Sequence, residues 1–249
     1  MSIATDLTTI AENTPKVYEA GKQKQEEDFW DAFQYNGERI DYTYAFHEWG
    51  AEYIRPKYKV IPKDGKVPQL LESGQISRYY NMVYGCPFLK KIEKEYFDLS
   101  QYYNENSYNA QSTHGNYYTF ANNPNLEEIE DVGMQPYSYY STFAICPKLH
   151  TIEVIRSNEK TWFSSTTFKY CLELQNIKID GVIASDISFY QSKKLSRESI
   201  ESIITHLSDT TGATLTLTTQ AVNSAFPGEG EWETFLAENK PSVWTINLV

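Results

Sequence analysis

The residues that could carry chemistry in this chain are few, and most stand apart from one another. The four histidines are His47, His114, His150 and His206. No two have metal-ligand spacing, and His47-Glu48-Trp49-Gly50-Ala51 lacks the second histidine of the zinc motif His-Glu-x-x-His. His206 falls on the solvated side of an apolar-periodic stretch, Ile200 to Leu207. Cys86, Cys146 and Cys171 recur at one position of a repeat described below. A structural role explains that regularity; a nucleophile or a zinc site does not. Gly228-Glu229-Gly230-Glu231 has no strand leading into it, so it lacks the context of a phosphate-binding turn. Glu26-Glu27-Asp28 and Glu127-Glu128 read as solvated faces. A glycosidase needs two carboxylates facing one bond, and no pair is singled out. No catalytic residue, metal or cofactor is expected.

The chemistry that remains is aromatic. Tyrosine alone contributes 20 residues, and it supplies rigid amphipathic contact area at low entropic cost. Tyr79-Tyr80, Tyr102-Tyr103, Tyr117-Tyr118 and Tyr137, Tyr139 and Tyr140 cluster between repeats. Most of these rings are expected to pack over neighbouring coils. The segment from Asp98 to Thr119, rich in Ser, Asn and Tyr like a paratope, is where recognition is expected. The candidate receptor contacts are Tyr102, Tyr103, Tyr108, Tyr117, Tyr118, Tyr137, Tyr139 and Tyr140.

The elements that must position these residues come from repetition. Leu89, Leu126, Leu149, Leu174 and Leu195 each follow a small polar residue by three positions: Cys86, Asn123, Cys146, Cys171 or Ser192. Three positions earlier stands Val83, Phe120, Phe143, Phe168 or Phe189. Three positions after the leucine stands Ile92, Ile129, Ile152 or Ile177, with Glu198 in the fifth copy. One apolar turn and one short strand cannot bury a face alone, so the copies must stack into a continuous core. The pattern predicts a solenoid over 79–249 with one parallel sheet. Ile152 and Val154, or Ile177 and Ile179, should alternate inward. One position beyond each isoleucine, Glu93, Glu130, Glu153 and Lys178 should form a mildly acidic, hydrated outward row. The small polar position suits a tight corner whose side chain bonds exposed backbone.

Residues 195–249 read as a helix–strand cap. Ser196 can cap a helix carrying Ile200, Ile203, Ile204 and Leu207, ended by Gly212. A strand around Leu215-Thr216-Leu217, a helix with Trp232, Phe235 and Leu236, and a last strand with Trp244, Ile246 and Leu248 follow. At the other end, Ile3, Leu7, Ile10 and Val17 form a narrow heptad-like seam broken by Pro15. Lys22 to Phe33 is charged and ends in Phe29, Trp30 and Phe33, a docking face. Residues 1–35 are therefore expected to serve attachment or self-association, and the turn-rich, aromatic stretch 36–78 to cap the repeats.

The chain has 249 residues, long enough for one large domain or two modest ones. Aromatics at 15% exclude a disordered chain. Lys plus Arg (22) against Asp plus Glu (33) leaves a net charge of −11, which argues against nucleic acid and anionic lipid as partners. No apolar run of about 18 residues exists, so no transmembrane helix is expected. Met1 to Leu7 has no basic region or apolar core, so no secretory signal is expected and the chain should fold in the cytosol of the cell that makes it.

Phe143-Ala-Ile-Cys146-Pro-Lys-Leu149-His-Thr-Ile152 and Phe168-Lys-Tyr-Cys171-Leu-Glu-Leu174-Gln-Asn-Ile177 resemble the leucine-rich repeat of the BspA type. The resemblance covers about residues 76 to 200. It departs at the insertion 98–119 and lacks the Ile-Pro signature between repeats. Asn13-Thr-Pro-Lys-Val-Tyr-Glu-Ala-Gly21 with Phe29-Trp-Asp-Ala-Phe33, and Leu195-Ser-Arg-Glu-Ser-Ile200 through Leu217, are similar to phage tail-associated proteins of Gram-positive gut bacteria. That likeness implies a non-enzymatic binding or structural subunit of a tail or tail tip. It implies a virion protein in a homotrimer with other tail proteins, addressing a host-surface protein or glycan. The alternatives are a BspA-type adhesin on the bacterial surface and a carbohydrate-active enzyme.

Overall fold

The computed structural model describes residues 83–94, 97 and 117–249. The expectations for 1–35, 36–78 and 98–116, and with them Tyr102, Tyr103 and Tyr108, lie outside the described residues. The described chain is mixed α/β. Strands β1 (Lys91–Ile92), β2 (Glu128–Ile129), β3 (Thr151–Ser157) and β4 (Asn176–Gly181) form a parallel sheet in sequence order. Strands β5 (Ile187–Ser188), β6 (Thr214–Leu217) and β7 (Thr245–Leu248) form a second parallel sheet. Helices α1 (Arg197–Thr205), α2 (Thr219–Ala225) and α3 (Glu231–Asn239) lie within the C-terminal portion.

The repeat positions fall into register. Ile92, Ile129, Ile152 and Ile177 are aligned partners on successive strands. Leu89, Leu126, Leu149 and Leu174 are fully buried beneath them. On the other side of the core Phe120, Phe143, Phe168 and Phe189 stack, with ring centroids 6.1, 5.5 and 4.5 Å apart. Each phenylalanine turn also hydrogen-bonds its neighbour: Phe120 N–H donates to Thr142 O at 2.9 Å, and Phe143 N–H to Thr167 O at 3.2 Å.

The small polar column does what a corner requires. Asn123 Nδ2 donates to the carbonyls of Val83 and Phe120 at 2.8 and 2.9 Å, while its Oδ1 accepts from Cys86 N–H at 2.7 Å. The Cys146 thiol donates to Phe120 O at 3.1 Å, the Cys171 thiol to Phe143 O at 3.0 Å, and Ser192 Oγ to Cys171 O at 3.1 Å. Each side chain thus donates to a carbonyl of the preceding turn, meeting the need of buried backbone oxygens for a donor. Burial pushes the Cys146 thiol up to about 12 and Cys171 well above the usual range, so both are donors rather than thiolates.

Three expectations are corrected. The single sheet is two, because the fifth copy carries Glu198 in place of isoleucine and folds as α1. Ser196 caps that helix by accepting from Ser199 N–H at 3.2 Å. Two of its hydroxyls then serve β4 as a neighbouring strand would: Ile177 N–H donates to Ser199 Oγ at 2.9 Å and Ile179 N–H to Ser202 Oγ at 3.0 Å. Second, the inward residue of β3 after Ile152 is Ile155, not Val154. The register with β4 shifts between Ile152 and Ile155, so β3 carries one extra residue against its partner. Third, α1 ends at Thr205 with His206 as its cap, well before Gly212, because Leu207 is drawn into a parallel bridge with Ile183.

Candidate functional site

Side chains of the segments that enter each phenylalanine turn form an aromatic row on the surface. The backbone fixes their spacing, since Tyr118 N–H donates to Tyr140 O at 3.3 Å, Tyr139 N–H to Trp162 O at 2.8 Å, and Trp162 N–H to Tyr137 O at 2.8 Å. Tyr140 opens the turn that the Thr142 N–H closes on Tyr139 O at 3.2 Å, and it is half-buried where Tyr139 is buried. Tyr140 therefore points outward, while Tyr139 enters the core.

The outward rings touch in series. Tyr84 and Tyr118 meet edge to face at 6.2 Å, and Tyr118 and Tyr140 do the same at 6.0 Å. Tyr117 tilts onto Tyr140 at 4.6 Å, and Tyr140 stacks on Trp162 at 5.8 Å with 15° between the planes. These are favoured aromatic geometries, so the row is preorganised. Trp162 is 42% exposed and Tyr137 beside it 37%. The other four rings are half-buried. The row offers ring edges, phenol hydroxyls and one well-exposed indole.

Of the tyrosines expected to contact a receptor, Tyr117, Tyr118 and Tyr140 are brought together here, and Tyr137 borders them. Tyr139 is corrected. It is 1% exposed, stacks between Phe143 and Phe163, and its hydroxyl lies 2.9 Å from the Arg156 carbonyl and 3.3 Å from that of Met134. Burial drives its phenol far above the usual range. Tyr84 and Trp162 complete the row and were missed. Coil lengths differ, so neither keeps a fixed offset from the repeat; an exposed tryptophan in an aromatic-rich connection was the available signal.

On the outward face beyond the first sheet Glu153 and Lys178 are exposed and Glu93 and Glu130 half-buried, in line with the expected row, but Glu130 and Glu153 also hold backbone. Glu130 accepts from Lys94 N–H at 2.7 Å, and Glu153 repeats this one copy later on Asp131 N–H at 2.9 Å. Lys91 bridges Glu128 at 3.0 Å and Glu130 at 2.6 Å. Partial burial would raise the Glu130 carboxyl, but the bonds from Lys91 and the Lys94 amide outweigh it and hold it low. Arg156 forks onto Asp131 and reaches Asp180 at 3.3 Å. Hydrogen bonding to Arg156 holds the Asp131 carboxyl down at about 2. These carboxylates are occupied with cations and backbone. Among the described residues no group of three His, Cys, Asp or Glu side chains could hold a metal ion. Among them, too, no helix is long and apolar enough to cross a membrane.

No family model matches this chain, and no curated protein and no solved structure matches it.

Proposed function

We propose that the chain is a non-enzymatic recognition subunit built as a leucine-rich-repeat solenoid, working in a phage tail or tail tip and binding a host-surface glycan or protein. The solenoid reading is supported by the four-fold register of the repeat isoleucines and the stacked phenylalanines. The tail setting rests on the resemblance of the chain's two end segments to tail-associated proteins, and with it the homotrimer and the other tail proteins as partners. The observation that carries recognition is the aromatic row from Tyr84 to Trp162. It crosses successive coils, is held in place by main-chain bonds, and leaves an indole in solvent where the core does not need it. Tryptophan and tyrosine at one exposed site are the residues that dominate binding energy in protein recognition.

The test is co-sedimentation of the full-length protein with cell walls from a panel of Gram-positive gut bacteria. Wild type should bind the walls of a subset and release no sugar from them. The Tyr140→Ala/Trp162→Ala variant, with unchanged far-ultraviolet dichroism, should bind none. Binding to no wall in the panel, equal binding by the variant, or release of soluble glycan would overturn the reading.

A further inference from the structure

A second surface, on the turns that follow Phe143 and Phe168, is apolar and basic. Ile145, Tyr170 and Leu172 are exposed at 42, 44 and 44%. They are neighbours by register, since Ile145 N–H donates to Lys169 O at 2.7 Å and the turns 143–148 and 168–173 stack through Phe143 and Phe168. Lys169 lies over the Tyr170 ring at 5.3 Å, and Lys148 and Lys193 are exposed on the same series of turns, Lys148 with its Nζ on Asn125 Oδ1 at 2.7 Å. The three turns 143–148, 168–173 and 189–194 hold four lysines and one carboxylate, Glu173, which Lys194 pairs. In a chain of net charge −11 this is a local reversal of sign.

The backbone adds an independent observation. The residue two positions after the phenylalanine site is left-handed in four successive copies: Gly85 (φ 72°), Asn122 (58°), Ile145 (60°) and Tyr170 (62°). The first two are residues that tolerate this region; a β-branched or bulky residue there is costly. The two copies that build the patch therefore forgo the comfortable choice to place large apolar groups in solvent. Strain retained at an exposed position points to use.

We infer that this patch is the docking site for the chain's own acidic, aromatic segment Glu26–Phe33. That segment reads Glu-Glu-Asp-Phe-Trp-Asp-Ala-Phe, four carboxylates and three aromatic rings with no base. Its rings match Ile145, Tyr170 and Leu172, and its carboxylates match the lysine rim. Charge of opposite sign around an apolar centre is the usual anatomy of a specific contact. The inference gives the expected self-association of residues 1–35 an acceptor, and it stands whether or not the aromatic row binds a host surface.

Carbodiimide coupling of carboxylates to amines in the full-length protein, read by peptide mass spectrometry, tests it. Linkages should join Glu26, Glu27, Asp28 or Asp31 to Lys148, Lys169 or Lys193, and should be lost in Tyr170→Ser/Leu172→Ser. Linked monomer places the segment on its own patch, and linked oligomer places it on another copy's; both support the site. If that variant does not fold, Ile145→Asn is the substitute and should lower the linkage yield. Coupling of the segment's acids solely to other lysines, or an unchanged yield in the folded variant, overturns the inference.

Discussion

At Ile145 the backbone and the side chain disagree. The turn needs φ near 60°, where the branched Cβ crowds the following carbonyl at a cost of about 1–2 kcal/mol. Side-chain burial returns little of that, because the residue is 42% exposed. Asn122 holds the same position one copy earlier. In the protein lacking residues 1–35, where the patch is bare, Ile145→Asn should therefore stabilise the fold by about 1 kcal/mol, which for a chain of this size raises the melting temperature by roughly 2–4 °C. Differential scanning calorimetry of the two proteins decides it. A lower melting temperature would mean that Ile145 packs against something that holds it. The neighbouring column carries the opposite lesson. Cys146 and Cys171 look like reactive groups in a list of residues, yet each thiol is spent on one carbonyl of the previous turn.

At the scale of elements, α1 replaces a strand by supplying hydroxyls where a strand would supply carbonyls. Ser199 accepts from Ile177 N–H and donates to Gln175 O at 2.7 Å, so it satisfies two groups of the β4 edge at once. Ser199 is buried, so water cannot take over both roles. Ser199→Ala should cost about 1–3 kcal/mol, the penalty for stranding the buried Ile177 N–H; Gln175 O keeps the Ser196 N–H at 2.9 Å. Urea denaturation should show a lower midpoint with an unchanged slope; an unchanged midpoint would mean that the β4 edge finds other partners. How much of this was legible follows from what repeats. The leucines and isoleucines keep fixed offsets, so their burial and pairing could be read directly. Glu198 in an isoleucine position was visible, but its consequence, a helix ending the first sheet, needed the Ser196, Ser199 and Ser202 spacing to be read as a cap with two hydroxyls facing β4. The β3 bulge and helix α2 left no periodic trace, the latter because Thr219–Ala225 is short and mostly polar. In the aromatic row the composition of the tyrosine clusters was plain. Which ring turned inward was not, since Tyr139 and Tyr140 differ by one register step alone.

At the scale of the whole molecule, charge ties the stacked copies together along one face. Lys94, Asp131, Arg156 and Asp180 come from four successive copies and form one chain of ion pairs. Its centre is Asp131, whose carboxyl is lowered to about 2, first by the Arg156 hydrogen bond and further by the Gly133 amide at 3.0 Å. A carboxyl depressed in the folded state binds a proton more readily once unfolded. Its contribution is therefore complete above the unfolded value, about 3.9, and is lost as the pH falls from about 4 to about 2. Lowering the carboxyl from about 3.9 to about 2 corresponds to about 2.5 kcal/mol. Acid acts on the whole of this acidic chain, so the wild-type acid limb alone does not isolate Asp131. The difference between wild type and Asp131→Asn does. At neutral pH the variant should be less stable, because Arg156 keeps its partly buried guanidinium without the charge that faced it. As the pH falls through about 4 to about 2 the gap should close, since acid removes from wild type what the substitution has already removed. Denaturant midpoints measured for both proteins across that window give the result. A gap that stays constant through the acid range would show that the Asp131 charge adds nothing and that the variant suffers from lost shape alone.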